Sequence, residues 1–185
     1  MLLLENYDVK LIRLTDDKIE MVRKWRNDSS IQRFMEYRDK ITPLMQEKWF
    51  KSVDNSSNFY FIINFQNTDI GVINIKNIDS EKDEGEAGVF VYDDKYLNTD
   101  VAYRAHLVLF DYFFIEMGLK KISSHVLSDN KRAIRFTAFL GFVKCENQEA
   151  FYNQEYNLIK EDYLKNINRL RFIKKWNVLN NNNIL

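Results

Sequence analysis

The spacing of apolar residues along the chain predicts two kinds of element. Runs in which apolar and polar residues alternate are typical of half-buried strands, and apolar residues three or four positions apart are typical of amphipathic helices. The predicted strands cover about residues 9–14, 58–65, 70–75, 86–92, 121–127, 142–146 and 150–159. The predicted helices cover about residues 15–27, 42–50, 101–117, 131–139 and 161–176.

Local signals place the ends of the predicted helices. Thr15 and Thr42 are expected to cap helices, and Pro43 follows the second of them at the first helical position. Gly118 and Gly141 come directly after helical patterns, so we expect them to end those helices.

The order of the elements predicts a mixed α/β fold. The strands 58–65 and 70–75, joined by the polar turn 66–69, form an antiparallel hairpin, whereas strand–helix–strand in the second half implies parallel neighbours. We therefore expect a central mixed sheet of about seven strands with helices on both faces. The last helix exceeds this unit, so we expect one domain over residues 1–160 and a helical appendage over 161–185 that packs on it.

Composition and charge exclude several classes of protein. The 27 basic residues balance 27 acidic ones, which argues against a general nucleic-acid binder. The 45% apolar content argues against intrinsic disorder, which we expect only in the Asn-rich tail 180–183. One cysteine and two histidines favour neither a disulfide framework nor a metal centre. No stretch is long and apolar enough for a membrane span, and Met1–Leu4 is too short for a signal peptide, so we expect a cytoplasmic protein.

An anionic ligand is expected beside the long helix. A helix that begins directly after a central strand presents free backbone N–H groups, and these bind phosphate well. The loop Tyr96–Ala102 joins the strand 86–92 to the helix 101–117. It is therefore the first candidate site for a phosphate-bearing ligand.

The segment Ser128–Phe142 resembles a motif of the GCN5-related N-acetyltransferases (GNAT). It carries the pattern Asp-Asn-x-x-Ala-Ile and, at its end, Gly-Phe, and the Asp111–Phe114 ending of the long helix lies at the family's spacing. The order of elements over residues 9–159 also matches that fold. The resemblance implies the GNAT fold, acetyl-CoA as the donor cosubstrate and a primary amine as the acceptor.

The first half of the chain resembles one subgroup of that family. Lys24–Asp28, Phe34-Met35 and Trp49-Phe50 are similar to the Trp-Arg-Asn…Met…Phe pattern of nucleotide-sugar N-acetyltransferases of the pseudaminic-acid pathway type. This implies a nucleotide-linked amino sugar as acceptor, in surface-glycan biosynthesis. Ribosomal-protein Nα-acetyltransferases share part of the signature, so a protein N-terminus stays open as the acceptor. Because relatives often dimerise through a C-terminal strand, a homodimer is a further expectation.

The phosphate loop departs from the family pattern. Where relatives carry Arg/Gln-x-x-Gly-x-Gly/Ala, this chain has Leu97, Asn98, Thr99, Asp100, Val101 and Ala102. Asp100 adds a side chain and a negative charge where the backbone must approach a pyrophosphate. Either its carboxylate turns outwards and caps the helix, which we favour, or acetyl-CoA binding is weakened and the chain is a non-catalytic binding module.

Candidate catalytic groups lie on the two strands that enclose the expected cleft. The resemblance implies that a backbone N–H polarises the acetyl carbonyl at Val89, Phe90 or Val91. Glu86 is the candidate general base and His125 a second candidate, although each also suits an ordinary solvated or packed position. Thr137 stands where many relatives have a tyrosine that protonates the leaving thiolate.

Further candidates would hold the two substrates. The resemblance implies that Asn130 contacts the pantetheine, with Phe136 and Arg132 as further cofactor contacts, although Asn130 equally suits an N-cap. The candidate acceptor-binding residues are Trp25, Arg26, Asn27, Arg33, Met35, Tyr37 and Trp49. Arg26 suits a phosphate held through two hydrogen bonds. The aromatic members suit the wall of a sugar or base site, but such residues also fill cores.

Overall fold

One mixed sheet of eight strands forms the centre of the structure, a computed structural model that describes the backbone of residues 2–181 and the side chains of residues 2–176. The strands are β1 (Leu3–Asn6), β2 (Val9–Arg13), β3 (Phe59–Phe65), β4 (Thr68–Asp79), β5 (Glu84–Val91), β6 (Lys121–Leu127), β7 (Val143–Lys144) and β8 (Asn153–Ile159). Their order across the sheet is β1-β2-β3-β4-β5-β6-β8-β7. The pair β5–β6 is parallel and every other neighbouring pair is antiparallel.

Helices cover both faces of this sheet. They are α1 (Ile19–Arg26), α2 (Ser29–Gln32), α3 (Pro43–Val53), α4 (Val101–Phe110), α5 (Lys131–Leu140), α6 (Lys160–Lys165) and α7 (Ile167–Asn181). Successive side chains of a strand point to opposite faces. Ile62 of β3 therefore packs with Trp25 of α1, while Phe61 and Ile63 join a larger core with Phe110 of α4. The expected α/β fold, with a mixed sheet between two helical layers, is confirmed.

The first strand is an addition to the predicted set. The sequence pattern predicts no strand before residue 9, yet β1 forms an antiparallel hairpin with β2. Tyr7 and Asp8 at its turn both have positive φ, 53° and 58°, as a type I′ hairpin turn requires. Tyrosine is unusual in that conformation, so the turn after β1 has no strong sequence signal. The predicted hairpin turn between β3 and β4 is confirmed, with positive φ at Gln66 and Asn67.

Several helix and strand ends differ from the predicted ones. The Thr15 hydroxyl donates to the Asp17 carboxylate and caps no backbone N–H, and a 3₁₀ turn precedes α1. The predicted helix 101–117 divides into α4 and a π-helical segment, Asp111–Glu116, before Gly118 ends it with a φ of +80°. The short helix α2, capped by Asp28, is an addition. Strand β4 runs beyond residue 75, and β7 and β8 are shorter than predicted.

The C-terminal helices pack against the sheet domain, as expected. Asn166 breaks the predicted single helix, and its side-chain oxygen accepts the backbone N–H groups of the next helix, α7. Asp111 accepts hydrogen bonds from the Tyr163 hydroxyl at 2.6 Å and from Arg169 at 2.8 Å, while Tyr7 donates to its second oxygen at 3.1 Å. Tyr163 is 1% exposed and belongs to the main core.

Two predictions about the C-terminal region have different outcomes. The division into a domain over 1–160 and an appendage over 161–185 stays a prediction. Of the tail expected to be disordered, Asn180 and Asn181 belong to α7, and residues 182–183 lie outside the described part of the chain.

Candidate active site

The sheet opens between its two parallel strands. Pairing of β5 with β6 ends at Ala87 and Ser124, although β5 runs on to Val91 and β6 to Leu127. The strands therefore separate near the middle of the sheet. The opening forms where the resemblance places the reacting groups.

Backbone N–H groups of β5 point into this opening. Tyr92, the residue after β5, donates its N–H to Ile70 of the β4 side. Because hydrogen-bonding direction alternates along an antiparallel strand, Phe90 also faces β4, while Val89 and Val91 direct their N–H groups towards the opening. Of the three predicted carbonyl-polarising donors, Phe90 is thus the one engaged within the sheet. The other two are placed to bind a carbonyl oxygen between the strands.

A cavity of about 300 Å³ lies at the opening and is called the central cavity. Glu86, His125 and Thr137 line it, on β5, β6 and α5 respectively. The fold therefore brings together the three candidate catalytic residues, which are distant in sequence.

Glu86 is the centre of a charged group in this cavity. Its Oε1 atom lies 3.2 Å from Nδ1 of His125 and 3.0 Å from Nζ of Lys76. Asn77 donates to Oε2 at 3.2 Å. The Glu86 side chain is 19% exposed, so these contacts hold a largely buried carboxylate.

The protonation of Glu86 follows from its neighbours. Burial acts to raise the pKa of this carboxyl group, but the Lys76 ammonium and then His125 outweigh burial and leave the pKa below its ordinary value. Glu86 is therefore ionised at neutral pH. In the tautomer that carries its N–H at Nδ1, His125 donates to this carboxylate, and Nε2 is then the acceptor nitrogen of the ring. This is the arrangement of a general-base pair.

Two other predicted residues complete the wall of the central cavity. Thr137 is 7% exposed and lines the cavity. Asn130 accepts the backbone N–H of Ala133 at 3.1 Å, which confirms its expected role as the cap of α5. Its contact with pantetheine stays a prediction.

A second cavity, of about 210 Å³, adjoins the first and is called the loop cavity. It lies between Val91 of β5, the start of α5 and the predicted phosphate loop, from which Leu97, Thr99 and Ala102 line it. Asn98 is not among the lining residues, and Val101 is 3% exposed in the main core. Only part of the predicted loop therefore lines the loop cavity.

Asp100 corrects one expectation about this loop. It occupies the N-cap position of α4, but its side chain makes no capping hydrogen bond. The carboxylate instead forms an ion pair with Arg104, one helical turn along, at 2.9 Å. Opposite charges four residues apart lie on the same face of a helix and attract each other. Asp100 thus turns away from the loop cavity, as favoured, but for a different reason.

The two cavities form one channel. Phe34, Met35, Phe90, Asn130 and Phe136 line both of them. The channel runs from Leu97 and Thr99 of the loop to Glu86, and Val89, whose N–H faces the opening, lines both of its parts.

A third cavity, of about 250 Å³, opens from the central one and is called the side cavity. Arg26 and Trp49 line both the central and the side cavity, whereas Tyr37 and Gln46 line the side cavity and not the central one. Burial lowers the pKa of Arg26. Within the described residues, its Nε and the Nε2 of Gln46 are buried without a hydrogen-bond partner. This side of the cleft therefore offers unsatisfied donors and one unpaired positive charge.

The remaining acceptor candidates lie elsewhere. Trp25 is 7% exposed in the core against α3 and stacks on Tyr92 with ring centroids 5.4 Å apart. Asn27 binds the backbone N–H and C=O of Ile41, each at 2.8 Å, and so fixes a loop. Arg33 lines the loop cavity, not the acceptor side. Trp25 and Asn27 therefore serve core packing and loop structure. The sequence pattern alone does not distinguish these roles from ligand binding.

Lys76 and Gln46 are polar residues of the site that the sequence pattern does not single out. Lys76 faces Glu86 in the register of β4 and β5, but the pattern ends β4 at residue 75. Extending the predicted strand by one residue would have placed the charge of Lys76 opposite Glu86. Gln46 lies inside an amphipathic helix, where a single polar residue on the buried face gives little indication of a site.

Two kinds of feature are not found within the described residues. No three His, Cys, Asp or Glu side chains gather there as ligands for a metal ion. No helix there is both long and apolar enough to cross a bilayer.

Comparisons with known proteins identify the fold and a family. The family described as acetyltransferase (GNAT) domain matches residues 8–143, more than half of the chain. A spermidine N-acetyltransferase from Vibrio cholerae, in complex with CoA and spermine, is 19% identical, with a TM-score of 0.75 over 86% of this chain and 99% of that one. A domain from Methanocaldococcus jannaschii is 18% identical, with a TM-score of 0.71 over 82% and 97%. A dodecameric structure of the Vibrio cholerae enzyme is 20% identical, with a TM-score of 0.70 over 86% of this chain and 98% of that one. No curated protein matches the chain significantly in sequence.

Proposed function

The chain belongs to the GCN5-related N-acetyltransferase (GNAT) family, and we propose that this acetyl-CoA-dependent N-acetyltransferase acts on a nucleotide-linked amino sugar in surface-glycan biosynthesis. The observation that carries the proposal is the unpaired guanidinium of Arg26 between the central and side cavities. A substrate that brings a diphosphate to this position would pair with it.

The cost of burying Arg26 supports an anionic acceptor. Taking a charge out of water is expensive unless a partner compensates it. Within the described residues no carboxylate lies within 4 Å of Arg26, and its Nε is buried without a partner. Arginine binds phosphate oxygens through two parallel hydrogen bonds. A diphosphate would therefore supply the missing charge and the missing acceptor together.

The walls of the cleft suit the rest of such a substrate. Met35 and Trp49 line the central cavity, and Tyr37 and Trp49 line the side cavity. These apolar and aromatic surfaces fit a deoxy sugar near the reacting centre and a nucleobase further out. The Gln46 amide, buried and unpartnered, offers a polar contact to that base.

A polyamine is the contrasting acceptor, because the similar Vibrio cholerae enzyme is a spermidine N-acetyltransferase. A polycation in this cleft would meet the positive charges of Arg26 and Lys76. Lys76 is engaged by Glu86, but Arg26 has no such partner. Like charges in a partly buried site repel strongly. The unpaired charge of Arg26 thus favours an anionic group on the acceptor beside it, whereas Glu36 and Glu86 are the acidic residues that line the central cavity.

This chain's own residues supply the elements of the reaction. When bound, acetyl-CoA supplies an acetyl thioester for transfer to the amine. The backbone N–H of Val89 can donate to the carbonyl oxygen as negative charge develops on it. Glu86 orients His125, whose Nε2 accepts the proton that the attacking amine loses. The hydroxyl of Thr137 can donate a hydrogen bond to the leaving sulfur.

A thiol-release assay across acceptor classes tests the proposal. The panel contains UDP- and dTDP-linked amino sugars, the same amino sugars without nucleotide, spermidine and N-terminal peptides. We expect the nucleotide-linked sugars to give the highest kcat/KM. Better turnover of spermidine or of a peptide would overturn the proposal.

A variant pair makes the test specific to Arg26. Arg26→Met should raise KM for the nucleotide-linked sugar about tenfold or more and leave the free amino sugar unchanged, because only the former carries the diphosphate. Lys24→Met is the matched control, since Lys24 is an exposed cation on the same helix. An equal effect of both variants would show that Arg26 does not contact the acceptor.

A further inference from the structure

Two arginines that are far apart in the sequence approach the same aromatic ring beside the loop cavity. The guanidinium carbon of Arg33 lies 4.6 Å from the ring centroid of Phe34, and that of Arg132 lies 5.7 Å from the same centroid. Both arginines line the loop cavity. Arg33 follows α2 and Arg132 belongs to the first turn of α5, so the aromatic ring joins two segments that are 99 residues apart.

Neither guanidinium is neutralised by the protein. Within the described residues, no carboxylate lies within 4 Å of Arg33 or Arg132, and neither side chain donates a hydrogen bond there. Asp94 is the one acidic residue among those lining the cavity, so the two arginines leave an excess of positive charge. Like charges held around one ring repel each other, and an anion at the mouth of the cavity removes that repulsion.

The phosphate loop, which lines the same cavity, has few side chains free to bind an anion. The Thr99 hydroxyl donates to the backbone carbonyl of Tyr96 at 2.8 Å. Asp100 is paired with Arg104, and Lys95 is paired with Asp93 at 2.9 Å. The loop also lacks the glycines that let a backbone approach a pyrophosphate closely. The side chains of Thr99 and Asp100 are therefore engaged within the protein, and Asn98 does not line the loop cavity.

We propose that Arg33 and Arg132 form a clamp that binds the pyrophosphate of acetyl-CoA and replaces the contacts that the glycine-poor loop cannot make. Both arginines line the same cavity as Leu97 and Thr99 of the phosphate loop, which favours the diphosphate over the outer 3′-phosphate as their ligand. The inference rests on the use of acetyl-CoA and is independent of the identity of the acceptor.

The segment that carries Arg33 is held in place by a second contact. Arg38 donates to the Tyr152 hydroxyl at 2.7 Å, and that hydroxyl donates to Asp129 at 2.9 Å. Asp129 directly precedes the cap of α5, so the same two segments are joined at two points. The backbone segments that carry the two arginines are therefore linked through Tyr152 as well as through Phe34. Groups held in position before binding lose less entropy when a ligand arrives.

Calorimetric titration with three ligands tests the clamp. CoA carries the pyrophosphate and the 3′-phosphate, dephospho-CoA carries the pyrophosphate alone, and pantetheine carries neither. We expect Arg33→Ala and Arg132→Ala each to raise the Kd of CoA and of dephospho-CoA about tenfold, and the double variant about fiftyfold or more. The Kd of pantetheine should not change. The weakening should diminish at high salt, since the lost contacts are electrostatic.

Arg135→Ala is the matched control, because Arg135 is an exposed cation on the same helix and does not line the loop cavity. Unchanged CoA binding by the double clamp variant would overturn the proposal. Weakening for CoA but not for dephospho-CoA would assign the arginines to the 3′-phosphate and also overturn it. Equal weakening for pantetheine would show that the arginines only shape the cavity. Failure of the unaltered protein to bind CoA would instead remove the acetyltransferase function itself.

Discussion

Nδ1 of His125 lies 3.2 Å from Oε1 of Glu86, although the two residues are 39 positions apart. They occupy adjacent parallel strands just where pairing between those strands stops. The carboxylate can therefore orient the ring while the ring faces the opening. A pair of this kind joins two candidates that the sequence offered separately.

The Glu86–His125 pair should behave as a unit in catalysis. Glu86→Gln and His125→Gln are each expected to lower kcat/KM about 100-fold or more, because general-base catalysis contributes on that order. The double variant should be little worse than either single one. Steady-state kinetics check this, with Glu84→Gln as the control on the same strand. Multiplicative losses in the double variant would show that the two residues act independently.

Lys76 should set the pH at which the pair becomes active. Its ammonium lowers the pKa of Glu86 against the opposing effect of burial. In Lys76→Met the pKa of Glu86 should rise, so the acid limb of the kcat/KM profile should move to higher pH. Lys82→Met, which removes an exposed cation nearby, should leave the limb in place. A shift to lower pH, or none, would contradict this role of Lys76.

Asp94 and Asp100 should differ in their effect on cofactor binding. Asp94 lines the loop cavity, whereas Asp100 is paired with Arg104 outside it. Asp94→Asn should therefore strengthen CoA binding a few-fold by removing a negative charge near the phosphates. Asp100→Asn should change the Kd of CoA less than about twofold. Calorimetric titration compares the two variants directly. A larger gain from Asp100→Asn would mean that its carboxylate faces the ligand.

His106 should make the fold sensitive to mild acid. It is 4% exposed, its Nδ1 lies 2.7 Å from the backbone oxygen of Ala102, and burial lowers its pKa from 6.5 to about 4. Between these two pH values the unfolded chain binds the proton and the folded chain does not. Stability due to this group is therefore lost as pH falls through that window.

The size of the His106 effect can be measured by urea unfolding at pH 7 and pH 5. At pH 5 the unfolded state gains about 2 kcal/mol from protonating His106, since one pKa unit corresponds to about 1.4 kcal/mol. His106→Asn should show a correspondingly smaller fall in unfolding free energy between the two pH values. His125→Asn should keep most of the fall, because His125 is partly exposed. The reverse order would assign the acid sensitivity to His125.

Local chemistry made much of the fold predictable. Alternation over β2 and β3, the Thr42-Pro43 start of α3 and Gly118 and Gly141 after their helices are signals within a few residues of each other. They act through backbone conformation and capping, so they need no tertiary context. The same holds for the cap that Asn130 provides to α5. The missed strand β1 also has a physical explanation. Its hairpin turn places Tyr7 and Asp8 at positive φ, a conformation that tyrosine rarely adopts.

The sequence by itself determined the family motif at Ser128–Phe142, the mixed α/β order and the set of residues from which a site could be built. Only the tertiary structure decided which of them meet. Trp25 packs in the core and Asn27 binds a loop, whereas strand register places Lys76 beside Glu86. Arg33 came to Arg132 through a shared aromatic ring. These outcomes depend on contacts between residues far apart in the chain, and local propensity carries no information about such contacts.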